Sequence, residues 1–256
     1  MSVYTTEIAS DNIPSDNPIH QRLLQAYYLA KEYINGELLE IGCGEGRGVD
    51  LLAPLSSSYQ AIDKIGAVVD KLQKQYPAYQ FKQGNIPPLP YDNDCFDTVV
   101  SFQVIEHIKN DQRYLEEIYR VLKPGGVALI TTPNIKKTLT RNPWHIREYT
   151  AAELKSLAKG VFDSVKMLGI DGNEKVMTYY EQNKQSVARI TRYDIFNLQH
   201  KLPAALLKIP YEILNRRNRN TLKNGASDLV KSITNTDYLL SEKADTSLDL
   251  FCIMTK

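Results

Sequence analysis

"LLEIGCGEGRG", residues 38–48, sets four glycines within seven positions directly behind an apolar run. A glycine takes positive φ and carries no Cβ, so the backbone there turns sharply and comes within contact distance of a ligand. A short buried strand, "ELLEIG", leads into the loop, and a helix over Gly46–Ala53, ended by Pro54, leads out. A glycine loop between a strand and a helix serves a dinucleotide, a phosphate or another nucleoside-bearing cofactor. The P-loop is excluded, because no Gly-Lys-Ser/Thr follows. The dinucleotide pattern G-x-G-x-x-G fails from Gly42, where Arg47 takes the third glycine's place, and from Gly44, where Val49 does. What stands is Glu40-x-Gly42-x-Gly44-x-Gly46. A carboxylate ahead of the first glycine disfavours a pyrophosphate and accepts hydrogen bonds from a cationic amine.

Outward from the loop, strands alternate with helices. An N-terminal stretch, "DNIPSDNP", reads as a loop or arm, and apolar spacing predicts a helix over Ile19–Ile34. "SYQAID" is a second strand, residues 65–76 a helix before Pro77, and "YQFKQG" a third strand. "FDTVVSF" is a strong fourth strand behind the loop "PPLPYDNDC", followed by a helix over 111–122 that "KPGG" stops. "VALITT" is a fifth strand. Thr150 and Glu153 form a capping box ahead of "LKSLA", and "FDSVKMLGI" is a sixth strand. This alternation predicts βαβ units and a mostly parallel sheet with helices on both faces. Residues 171–245 are then helix-like and polar, with no convincing strand before "LDLFCIMTK". Either a separate helical domain follows the sheet, or an insertion precedes a last strand that returns to it; the apolar character of 248–254 favours the insertion.

Bulk numbers narrow the function. The chain has 256 residues, 43% hydrophobic and 24% charged, as in ordinary globular proteins. A net charge of +1 provides no general field toward nucleic acid or acidic membranes. Cys43, Cys95 and Cys252 lack metal-type spacing and suit a reducing compartment. With no signal-peptide order at the N-terminus and no long apolar run, the expected location is cytoplasmic.

"LLEIGCGEGRG" resembles the first motif of class I S-adenosylmethionine (SAM) dependent methyltransferases. Asp63 in "AIDK", "QGNIPPLPYDNDCFDTVVSFQVIEHI" and "YRVLKPGGVALITTPN" are similar to the family's later motifs, in the expected order over residues 38–134. The resemblance implies a Rossmann-like, doubly wound α/β fold: a seven-stranded sheet, its last strand antiparallel, with the helical insertion before that strand. The expected organisation is an N-terminal arm and helix (1–36), a SAM-binding core (37–170), a helical insertion or lid that sets specificity (171–245) and a final core strand (246–256). Carried over by position, Gly42, Gly44 and Gly46 admit the methionine and ribose part of SAM. Glu40 takes the amino end or orients the loop. Asp63 holds the ribose, Asn85 and Ile86 bracket the adenine, and Gln103 faces the methionine portion. Many relatives carry Asp at the Asn85 position, a role the Asn carbonyl oxygen also fills.

A hydroxyl acceptor needs a base, and histidine is the usual one. His107 in "VIEHI" follows the fourth strand, at the carboxyl edge where open parallel sheets bind ligands, although the family often uses Glu-His there structurally. His145 in "NPWHIREYT" lies in a polar, aromatic loop after the fifth strand; it is a base or substrate contact, or it fixes the loop with Glu148. A metal site from Glu106, His107 and His145 has no spacing to support it, so no metal is expected. In "NPIHQRLL" Arg22 is placed to close over the cofactor carboxylate and His20 to face the acceptor, unless both merely open a solvated helix.

"LQHKLPAALLKIPYEILNRRNRN" carries an apolar stripe interrupted by Pro203 and Pro210, then Arg216, Arg217 and Arg219. It reads as core packing, as a lid on the acceptor pocket, or as an interfacial helix with a basic end. The expected reaction is methyl transfer to a small-molecule acceptor. "NPWHIREYT" and "DNPIHQR" resemble methyltransferases of sugar and polysaccharide biosynthesis, which points to a hydroxyl of a sugar or nucleotide-sugar. A quinone or lipid-like acceptor is the alternative, and a non-catalytic SAM-binding protein a second one. Nucleic acid is not an expected partner, because no aromatic–basic stripe accompanies the pocket. The sequence is silent on oligomeric state.

Overall fold

The structure is a computed structural model and describes residues 13–194 and 198–256; the predicted N-terminal arm falls, up to residue 12, outside the described residues. The strands are β1 (Glu37–Ile41), β2 (Ser58–Asp63), β3 (Gln80–Gln83), β4 (Phe96–Phe102), β5 (Leu122–Pro133), β6 (Ser164–Gly172), β7 (Tyr238–Ser241) and β8 (Asp249–Thr255). Between and around them run α1 (Asn17–Ala30), α2 (Val49–Leu52), α3 (Gly66–Gln75), α4 (Asp111–Val121), α5 (Ala151–Lys159), α6 (Glu174–Thr191), α7 (Leu198–Lys201), α8 (Ala204–Gly225) and α9 (Ser227–Ser232).

One sheet holds all eight strands in the order β3-β2-β1-β4-β5-β8-β6-β7. β3, β2, β1, β4 and β5 pair in parallel, and β8 lies antiparallel between β5 and β6. Alternate residues of each strand enter opposite cores. Leu38, Val100, Leu129 and Phe251 pack under α1, α3 and α6, whereas Leu39, Val99, Ile130 and Cys252 pack under α4 and α5. Burial on both faces explains why these strands read as near-continuous apolar runs.

The expected sheet is mixed as predicted but has eight strands, not seven. The added strand is β7, inside the segment read as wholly helical, and it pairs antiparallel with the last residues of β6. Only four residues long, with Leu239 and Leu240 exposed, it shows no alternation to read. What positions it is Asp237, whose carboxylate accepts hydrogen bonds from Lys175 Nζ (2.6 Å), Asn173 Nδ2 (2.8 Å) and the Thr234 amide (2.8 Å). These donors hold its pKa down at about 2 against the opposing effect of burial.

A second difference concerns α8, which continues through Pro210 rather than being interrupted there. The proline removes one amide and pushes on the carbonyl a turn earlier. Pro210 and Leu206, which supplies that carbonyl, both lie on the exposed side, where water satisfies the freed oxygen. Pro203 stands at the N-cap, where it costs nothing.

Chain order reverses between β1 and β4: β1 to β3 build outward in one direction, and the chain then crosses back to β4. In an open α/β sheet this reversal opens a crevice at the carboxyl ends of the strands. The glycine loop, Asp63, Gln103 and the loop after β5 all leave the sheet at that edge.

Candidate functional site: a cofactor cradle beside a polar cavity

The glycines of the loop play different parts. Gly42, Gly44 and Gly46 have φ of 76°, 50° and 83°. A Cβ on Gly42 would lie 2.4 Å from Val104 Cγ2, and one on Gly46 would lie 2.4 Å from Leu72 Cδ2. Those two are closed in by protein. Around Gly44, nothing lies within 4 Å of the same position. Its amide donates to Asp63 Oδ2 (2.9 Å), while Asp63 Oδ1 accepts from the Ile65 amide (2.9 Å). The acid at the end of β2 is thus held beside the open side of the loop, with lone pairs still available on both oxygens.

Glu40 sits beneath the loop. It is buried and accepts hydrogen bonds from Tyr27 (2.8 Å) and from Tyr59. Burial pushes its pKa up to about 7, and the two phenols, with Arg47 nearby, oppose that rise. A Cβ on Gly48 would come within 2.9 Å of Glu40 Oε2 and 2.2 Å of the Tyr27 ring, so the fourth glycine lets the loop settle on this carboxylate. The two tyrosines were not singled out from the sequence. A signal was available, since Glu40 pairs with Ala61 across β1 and β2, which puts Tyr59 diagonally on the same face.

Gln103 leaves β4 with φ of 58°, a left-handed conformation in a non-glycine residue, fixed by its amide to Thr131 O (2.9 Å). Asn85 is exposed and Ile86 half-buried beyond β3. Arg120 fixes the loop that follows, donating to the carbonyls of Leu89 (2.9 Å) and Tyr91 (2.8 Å) while its fork also meets Glu117.

Next to the cradle lies a cavity of about 270 Å³. Gln103, His107, His145 and Arg22 all line it, whereas the glycines, Asp63, Asn85 and Ile86 do not. His20 is not among its walls either. His107 and His145 meet edge to face with ring centroids 5.0 Å apart. Their hydrogen bonds define their tautomers. His107 Nδ1 lies 2.9 Å from the Trp144 carbonyl, which only accepts, so that nitrogen carries the proton. Asn142 Oδ1 accepts from the Trp144 amide (3.0 Å), which turns the Asn142 amino group toward His145 Nε2 (2.8 Å). His145 therefore presents a lone pair at Nε2 and donates from Nδ1 to Glu148 Oε1 (2.6 Å). Thr138 holds the other oxygen of Glu148.

Glu106 closes the site from below. It is buried, accepts from Thr132 Oγ1 (3.0 Å), and its pKa is pushed up to about 7 by burial, with His145 opposing. Glu106, His107 and His145 bring one ligand atom each within 4.8 Å of one another, a grouping assembled by the fold and not by chain spacing. An ion there would have to displace Asn142 from His145. Arg22 is held by Asp249, 3.2 Å away and buried in β8. An acid inside an apolar strand was the signal for that partner, and it went unread.

Residues 39–130 match the family model described as a methyltransferase domain. A probable S-adenosylmethionine-dependent methyltransferase of Mycolicibacterium smegmatis is 38% identical over 148 residues, covering 56% of this chain and 58% of that protein. The mitochondrial ubiquinone biosynthesis O-methyltransferase of Rattus norvegicus is 31% identical over 107 residues, covering 38% of this chain and 31% of that protein. The chain spans less than two thirds of the length of these relatives. The fold is also that of a SAM-dependent methyltransferase of Thermotoga maritima, described as a possible histamine N-methyltransferase, at a TM-score of 0.59 and 15% identity, covering 93% of this chain and 91% of that one. Residues 39–130 thus match a methyltransferase domain, and the fold is one that a SAM-dependent methyltransferase also has.

Proposed function

We propose that the protein transfers the methyl group of SAM to a hydroxyl of a small acceptor held in the cavity, a sugar or nucleotide-sugar being the preferred class. The observation that carries this reading is the His145–Glu148 pair in a cavity also lined by Gln103, which leaves β4 at the same carboxyl edge of the sheet as the open glycine loop and Asp63. The residues present fit the cofactor: Gly44 leaves the approach clear, and Asp63 has acceptor capacity for two ribose hydroxyls. Asn85 and Ile86 would bracket the adenine, and Gln103 and Arg22 would meet the methionine end. Glu40, with both oxygens engaged by phenols, acts by orienting the loop. When bound, SAM supplies a methyl on a positively charged sulfur, an electrophile that needs no further activation.

The chain's own task is to hold the acceptor and take its proton. His145 Nε2 accepts that proton once the acceptor hydroxyl replaces Asn142 at the lone pair, and Glu148 stabilises the resulting imidazolium through Nδ1–H. His107 packs against the His145 ring and keeps it in place. Around them Asn142, Asn183, Asn215 and Asn218 present amides that both donate and accept. The Nδ2 of Asn215 is buried without a protein partner among the described residues, as expected of a wall built for a hydroxylated ligand. Free thiols at Cys43, Cys95 and Cys252 fit a reducing, cytoplasmic setting.

A quinone or lipid-like acceptor is the second reading, favoured by the exposed leucines and isoleucines of α8 beside the same cavity. Calorimetric titration with S-adenosylhomocysteine on wild type and Asp63→Ala tests the cofactor site. Binding that the substitution weakens by about tenfold or more, roughly 1.4 kcal/mol, supports the reading, and equal binding by both proteins removes Asp63 from it. Transfer of labelled methyl into sugar against quinone acceptors then decides the class.

A further inference from the structure

α8 presents two unlike faces. Tyr211, Asn215, Asn218 and Arg219 turn into the cavity. On the outward side Leu206, Ile209 and Ile213, spaced three and four residues apart, are 63%, 72% and 62% exposed. Leu214 borders this stripe, and Leu198 of α7 is exposed as well. Single exposed leucines are commonplace, but a continuous stripe on the helix that walls a substrate cavity is not explained by packing inside the molecule.

Charge identifies what the stripe fits. Residues 198–227 contain six lysines and arginines (Lys201, Lys208, Arg216, Arg217, Arg219, Lys223) and one acid, Glu212; Arg216 and Arg219 are held by Asp16 and Lys208 stacks on Trp144, which leaves Lys201, Arg217 and Lys223 as the cations not so engaged. Glu212 is half-buried, with Oε1 turned inward. Lys201 and Arg217 are exposed at the two ends of the apolar stretch. A helix with an apolar face, cationic flanks and a single half-buried acid suits the interface of an anionic bilayer. A second copy of the chain fits less well, since antiparallel pairing of two such helices sets Lys201 of one against Arg217 of the other. No described helix is long and apolar enough to cross a membrane. The helix is also tied to the chemistry. Arg141 donates to the carbonyls of Gln199 and Leu202 (3.0 and 3.1 Å), and Lys208 lies 3.6 Å from the centre of the Trp144 ring, next to His145.

We infer that α7 and α8 dock on an anionic lipid surface, so that the cavity receives the polar, hydroxylated head of an acceptor whose apolar part stays in the bilayer. The choice of acceptor rests on the reading above; the docking does not, because it needs neither cofactor nor turnover. The test is flotation of the full chain with vesicles of phosphatidylcholine, with and without phosphatidylglycerol. It is run on wild type, Ile209→Glu/Ile213→Glu and Arg217→Glu, with S-adenosylhomocysteine calorimetry on the same proteins. Wild type should float with the anionic vesicles, less so at high salt, and the double variant should lose at least about tenfold in partitioning while binding S-adenosylhomocysteine as wild type does. Arg217→Glu should lose binding to anionic vesicles specifically. Failure of wild type to float, or equal flotation of the double variant, overturns the inference. So does a wild-type dimer, seen by sedimentation without lipid, that the double variant disperses, since that assigns the stripe to a second copy. Flotation without S-adenosylhomocysteine binding would instead leave the docking standing and remove the cofactor reading.

Discussion

Gly44 and Gly46 are two residues apart and equally left-handed, yet their surroundings make opposite demands. At Gly46 an added methyl strikes Leu72 inside the core; at Gly44 it meets only the space beside Asp63. Gly46→Ala should therefore cost stability beyond the roughly 1 kcal/mol of placing Ala at positive φ. Gly44→Ala should cost about that amount and still lose most cofactor affinity. Urea unfolding and S-adenosylhomocysteine titration of the two variants separate these outcomes. Glu40 makes a second residue-scale prediction. Its folded pKa of about 7 exceeds the ordinary value of 4.5, so the folded chain holds that proton more tightly than the unfolded one. The stability this contributes is complete below about pH 4.5 and is lost as pH rises to about 7. Glu40→Gln has no proton to lose. From pH 4.5 to above 7 the stability difference should move in its favour, on the order of 3 kcal/mol, measurable by urea unfolding at both ends of the range. Glu106 titrates in the same window and leaves a residual slope in that variant. The glycine spacing was legible because the demand for positive φ falls within one short stretch, and Asp63 because it ends a strand that reads by itself. The partnership of Tyr27, Glu40 and Tyr59 was not, because it joins a helix and two strands.

Elements whose signals are local were readable, and those defined by partners were not. The box at α5 formed as written: Glu153 N donates to Thr150 Oγ1 (3.2 Å) and Thr150 N to Glu153 Oε2 (2.8 Å). The donated hydrogen bonds lower the Glu153 pKa, so the carboxylate remains an acceptor well into mild acid. Thr150→Ala should destabilise the protein by about 1 kcal/mol, within the 0.5–2 kcal/mol range of such caps, as a shift of the urea midpoint at constant slope. β7 shows the converse, a strand created by the edge of β6 and by Asp237 rather than by its own residues. The approach of His107 to His145 is of the same kind. The Glu106 carbonyl accepts from the Ile146 amide (2.8 Å) and so brings together two loops across 40 positions of the chain.

For the whole molecule, the walls of the cavity come from distant parts of the chain. Asp16, fully buried ahead of α1, accepts from Arg216 (2.7 Å) and Arg219 (3.0 Å) of α8. Asn17 Nδ2 donates to the carbonyls of Val230 (2.7 Å) and Ile233 (2.9 Å), and Tyr238 donates to Pro18 O (2.6 Å). Asp16→Ala leaves the buried Arg219 without this carboxylate, a change of the kind that costs about 3–5 kcal/mol. Limited proteolysis should then cut α8 while the sheet stays intact, and acceptor turnover should fall further than cofactor binding.

The place of β8 bears on how the molecule comes into being. It wedges between β5 and β6, although the whole of α6 to α9 separates it in sequence from β6. On a ribosome the parallel strands β1 to β5 emerge first and have what they need to pair. The gap beside β5 must wait until every residue of α6 to α9 has been made. Sheet closure and completion of the cavity are thus one event in the protein's birth, and no growing chain shuts its sheet before the helices that wall the cavity exist.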